Sequence, residues 1–112
     1  MPETTPDSSN PGLHPTAGAR FLFERESESE DQQSSRYRAT IYTPEGCFEY
    51  EAELHLGGDF RVSPRAEPAT EELESKLATI AKLIARSART KLADELPPWP
   101  HRVLRWRGPG RG

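Results

Sequence analysis

Apolar residues follow two different rhythms along this chain. Between Arg36 and Leu56 they alternate with polar ones: Tyr37, Ala39 and Ile41 with Arg38, Thr40 and Tyr42, then Phe48, Tyr50, Ala52 and Leu54 with Glu49, Glu51, Glu53 and His55. A period of two predicts half-buried strands, over 36–43 and 47–56. Between them, Pro44-Glu45-Gly46 predicts a turn in which Pro44 presets φ and Gly46 takes the left-handed position. The result is a hairpin with one wet face. Matching parity allows Ile41 opposite Phe48 with Arg38 opposite Glu51, or Ile41 opposite Tyr50 with Arg38 opposite Glu53.

The second rhythm runs from about 70 to 96. Leu73, Leu77, Ile80, Ile84 and Ala88 recur at steps of three and four, flanked by Ala81 and Ala85, which makes one apolar stripe on a helix. Thr70 is the expected N-cap, Glu71 and Glu72 suit the positive end of the dipole, and Lys82, Arg86, Arg89 and Lys91 collect toward the negative end. Glu72 and Lys76 are spaced for an i,i+4 pair. Pro97 and Pro98 stop the helix. A run of this length measures about 39 Å, longer than a small sheet covers, so its end is expected to overhang.

Phe21, Leu22 and Phe23 predict a first strand over 19–26, and Phe60 and Val62, after the Gly57-Gly58-Asp59 turn, a fourth over 60–63. The segment Glu24–Ser35 reads as a solvated acidic loop. The helix stripe then has one apolar surface to cover, the inner face of the sheet. The expected fold is α+β: a small antiparallel meander of three or four strands packed by one long C-terminal helix, with Leu104 and Trp106 allowing a short final strand. Residues 1–18, rich in Pro, Ser and Thr, are expected to form a disordered tail, 19–96 the domain, and 97–112 a Pro/Trp/Arg-rich segment. Strands followed by a helix resemble the double-stranded RNA-binding domain. That family also has an N-terminal helix and lysines opening its last helix, where this chain has Thr70-Glu71-Glu72, and the resemblance is rejected.

Charge adds polarity to this picture. The net charge of −3 divides into −5 over residues 1–35, −2 over 36–95 and +4 over 96–112. The single cysteine, Cys47, excludes an internal disulfide, no apolar run is long enough to span a bilayer, and the N-terminus lacks a basic start and apolar core. A cytoplasmic location is therefore expected. Arginine far outnumbers lysine, which suits a GC-rich bacterial genome. Roughly 90 foldable residues make a small core, so a homodimer is an option.

Catalytic chemistry finds little support. His14, His55 and His101 are scattered, Glu49, Glu51 and Glu53 share a wet face without burial to tune them, and no nucleotide or nucleophile motif occurs. The expectation is a non-enzymatic protein-interaction module without cofactor or metal, binding another protein or itself. The constellation above background joins cations and aromatic residues. Arg86, Arg89, Leu92 and Leu96 on the helix, and Trp99, Arg102, Arg105, Trp106 and Arg107 after it, are the candidate partner-binding residues. The same arginines and tryptophans suit a nucleic-acid-binding accessory protein, the alternative reading.

Overall fold

A computed structural model describes residues 14–108. Five strands, β1 (Ala19–Glu28), β2 (Ser34–Tyr42), β3 (Cys47–His55), β4 (Phe60–Pro64) and β5 (Arg102–Arg107), form one antiparallel sheet in the order β4-β3-β2-β1-β5, and one helix, α1 (Glu71–Ala93), covers it. The fold is thus α+β, with β1 to β4 a meander and β5 returning to the free side of β1. The expected tail, 1–18, falls outside the described residues except for 14–18, which lie against the sheet.

The hairpin takes the first of the two registers allowed by parity, with Ile41 opposite Phe48 and Arg38 opposite Glu51. Two ion pairs run diagonally across the ladder: Arg36 meets Glu51 at 3.2 Å and Arg38 meets Glu26 of β1 at 3.7 Å. Gly46 is not in the left-handed region. The turn closes through Thr43, whose N–H donates to the Gly46 carbonyl at 2.8 Å and whose hydroxyl accepts from Gly46 N–H at 3.1 Å. Gly57 and Gly58, at φ 95° and 105°, do supply the left-handed geometry of the next turn.

The acidic stretch expected as a loop is mostly strand. β1 runs on to Glu28 past a bulge between Arg25 and Ser27, and only the tight turn at 29–33 remains. Asp31 organises it, its Oδ1 accepting from Gln33 N–H at 3.0 Å and the Ser29 hydroxyl at 2.8 Å. These hydrogen bonds hold its carboxyl below the usual range.

The core lies between α1 and the sheet face carrying Phe21, Phe23, Tyr37, Ile41, Tyr50 and Leu54, against which Leu77, Ile80, Ala81, Ile84, Ala85 and Ala88 pack. Thr70 caps the helix, accepting from Leu73 N–H at 3.3 Å, and Lys76 pairs with Glu72 at 3.4 Å. The helix ends at Ala93, short of the expected 96. Glu95 turns left-handed at φ 62°, its N–H bonds to Leu92 O at 3.0 Å, and Leu96 N–H bonds to Lys91 O at 2.8 Å. This Schellman closure lies upstream of Pro97 because a residue before proline is driven out of the helical region. The opposite sheet face is drier than alternation implies: Leu22, Thr40 and Tyr42 are also buried. There the His14 ring stands edge-on to Tyr42 at 5.2 Å, and its Nδ1 lies 2.8 Å from the Thr43 carbonyl.

Candidate docking groove between the helix and the last strand

Three hydrogen bonds fix the chain between α1 and β5. Trp99 Nε1 donates to the Gln32 carbonyl at 3.0 Å, Arg25 Nη1 donates to the Trp99 carbonyl at 2.7 Å, and the Tyr37 hydroxyl donates to the Pro100 carbonyl at 2.7 Å. Burial of Tyr37 pushes its pKa up, so the phenol remains a donor. Arg25 also pairs with Glu28 at 2.9 Å and lies 3.2 Å from the His101 ring. β5 is thereby placed beside β1, with Val103 opposite Phe23 and Arg105 opposite Phe21 on the helix side of the sheet.

Between α1 and β5 runs a groove of about 290 Å³. Its floor is Ile80, Ile84 and Val103, its helix wall carries Leu83, and its rim carries Lys91, Arg105 and Arg107. Leu83 is 53% exposed, although most large apolar side chains of the domain are covered. A second hollow continues along the helix past Lys76, Thr79 and Glu72, with Arg107 again at its edge. The lining therefore sets one acid among four cations.

The candidate residues read from the sequence do not share this surface. Arg105 and Arg107 line the groove. Arg102 and Trp106, of opposite parity on β5, project from the other sheet face, where Arg102 is registered opposite Glu24 and the Trp106 indole donates to the Ala17 carbonyl at 3.2 Å. Arg86 lies on the far flank of α1, its side chain against Gly58 in the β3–β4 turn. Arg89, three positions on, falls on that flank too. Leu92 is half-buried, and Leu96 is 54% exposed beyond the helix end.

Trp99 is corrected outright. It is 1% exposed in the core and its one polar atom is bonded internally, so it offers nothing to a partner. In place of Arg86, Arg89 and Trp99 the groove uses Leu83 and Lys91. Leu83 does carry a signal in the sequence: it is a leucine about 100° off the apolar stripe, where a solvated helix face would carry a polar residue.

Among the described residues, no group of three or more His, Cys, Asp and Glu side chains could hold a metal ion, and no helix is long and apolar enough to cross a membrane. Cys47 is half-buried and not in a disulfide. Comparison with known proteins finds no matching family model, no similar curated protein and no matching solved structure.

Proposed function

We propose that this protein is a non-enzymatic interaction module that holds an acidic, partly apolar segment of a partner protein in the groove between α1 and β5. The observation that carries this reading is the placement of exposed Leu83 over an apolar floor, with Lys91, Arg105 and Arg107 around it. An apolar strip rimmed by one sign of charge selects a partner by burial and by complementary charge together.

The alternative, a nucleic-acid-binding accessory protein, draws on the same arginines. Single-strand binders set stacking aromatics beside their phosphate-binding cations. Here Trp106 and the Arg105–Arg107 pair lie on opposite sheet faces, and Arg102, the β5 arginine on the Trp106 face, is registered opposite Glu24, so the exposed indole is parted from the arginine pair and its own face carries an acid. The protein-partner reading is preferred for that reason.

A photo-crosslinking amino acid placed at position 83, with one at exposed position 61 as control, tests the proposal in the native cell. The expected result is a discrete protein adduct from position 83 alone, competed away by excess wild-type protein and not by the Leu83→Glu/Arg105→Glu variant. No adduct, or one only to nucleic acid, overturns it.

A further inference from the structure

The open edge of β5 has a chemistry distinct from the groove floor beside it. In an antiparallel pair the backbone groups of alternate residues face the partner strand and the rest face away. Arg25 N–H donates to the His101 carbonyl at 2.9 Å, in line with the register that pairs Phe23 with Val103 and Phe21 with Arg105. Val103, Arg105 and Arg107 therefore turn their amides to β1, and Arg102, Leu104 and Trp106 turn theirs outward. Since β5 is terminal in the sheet order, these outward groups have no neighbouring strand among the described residues.

Two of the outward carbonyls are held by arginines of the same strand. Arg105 Nη1 donates to Leu104 O at 3.0 Å and Arg107 Nη1 to Trp106 O at 3.1 Å. A guanidinium reaches such a carbonyl only by curling around the edge, so both charges stand at the seam where another strand would pair. Charge of this kind protects an edge from indiscriminate association. It does so selectively, because the six residues of β5 carry three arginines and no acid. A second copy would bring three more arginines to the seam, and like charges across paired strands destabilise. A strand bearing carboxylates would meet attraction instead.

We infer that the β5 edge receives an acidic extended segment of the partner as a sixth strand. This rests on the groove being the docking site and specifies how the segment binds. Backbone N–H groups of the incoming strand replace the guanidiniums on the Leu104 and Trp106 carbonyls. Arg105 and Arg107 then turn to carboxylates on the helix side of that strand. Side chains on that side fall beside Arg107, Arg105 and Val103 in turn, so the fitting segment carries two acids spaced by one residue and an apolar residue two positions further on. The apolar residue closes over Leu83 and Val103. Recognition by backbone pairing plus alternate side chains is how strand addition achieves specificity.

The probe is a capped seven-residue peptide with threonine on one face and glutamate, glutamate and valine on the other, compared with its lysine counterpart and with an acidic helical peptide. Hydrogen exchange of the Leu104 and Trp106 amides is followed by NMR. The glutamate peptide is expected to protect both amides, the lysine and helical peptides neither, and Arg105→Gln/Arg107→Gln to weaken binding about fivefold or more. The charge reversal Arg105→Glu/Arg107→Glu is expected to transfer protection to the lysine peptide. Should an acidic peptide shift Leu83 and Val103 while those amides exchange as in the free protein, strand addition is wrong and the groove reading stands. Failure of the acidic peptides to bind while position 83 still crosslinks a partner overturns the acidic occupant. Loss of both signals removes the groove reading as well.

Discussion

The Trp99 indole N–H and the Gln32 carbonyl meet at 3.0 Å, joining the segment after the helix to the turn between the first two strands. Gln32 holds a left-handed backbone, φ 62°, and its carbonyl is the acceptor for the buried indole. The placement of β5, and with it one wall of the groove, depends on this link and on the Arg25 and Tyr37 bonds beside it.

The two tryptophans are expected to behave differently. Trp99→Ala removes a fully buried ring and should lower stability by about 3–5 kcal/mol. Trp106→Ala, at a residue 54% exposed, should cost far less. Iodide quenching offers a check in the intact protein: the Trp106→Phe variant, with Trp99 alone, should be nearly unquenched and emit at shorter wavelength, and Trp99→Phe should show the reverse. Equal quenching of the two would contradict the burial of Trp99.

Stability should fall in alkali through Tyr50. Its hydroxyl donates to Glu74 at 2.6 Å and accepts from Ala69 N–H at 2.8 Å, fastening the start of α1 to β3. Burial first, and then the Glu74 contact, push its pKa up to about 12 from 10. The folded state thus holds this proton more tightly than the unfolded chain. The contribution is intact below pH 10 and is lost as the pH rises toward 12. Urea unfolding at a series of pH values should show the decline. Tyr50→Phe should flatten it in part, since buried Tyr37 acts in the same direction, and should cost about 1 kcal/mol at neutral pH through the lost hydrogen bonds.

Glu95→Gly should stabilise the protein. Glu95 adopts φ 62° at the left-handed position of the helix end, where a side chain costs about 1–2 kcal/mol and glycine is the favoured residue. A rise in melting temperature with unchanged amide shifts in β5 is the expected result.

Gly18→Ala should do the opposite. Gly18 has φ 74°, and a Cβ there would strike the Arg107 carbonyl oxygen. Strain of this kind costs about 1–3 kcal/mol. It should appear as a lower melting temperature, with faster exchange at the Ala19–Arg107 end of the β1–β5 ladder.

Much of the fold was legible because a two-residue and a 3.6-residue period each name the face that must be buried. The strands from Tyr37 to Leu54, the stripe from Leu73 to Ala88 and the Thr70 cap follow from local pattern alone. The groove was not legible in the same way. A helical wheel says that Arg86 and Lys91 point differently, but not which of them borders β5; that depends on where the crossover at 65–70 lays the helix over the sheet. Strand parity separates Arg105 from Trp106 only once β5 is known to be a strand, and its six residues are too few for alternation to establish that. The burial of Leu22 and Tyr42 depends on what lies over the outer face, for which the period of a strand gives no signal.

The position of β5 has a consequence for the protein during its synthesis. Arg25 and His101, neighbours across the β1–β5 ladder, are 76 positions apart in the chain. At about 5–20 residues per second, some 3–13 s separate the appearance of Tyr42 from that of Arg107 on the ribosome. Throughout that interval β1 has no strand on one side, and for most of it the place of Trp99 in the core is unfilled. The nascent chain can assemble its hairpins early but cannot complete its core. A premature stop just ahead of Arg102 would leave β1 unpaired on that side, a sheet with an exposed aromatic edge of the kind that chaperones and proteases recognise.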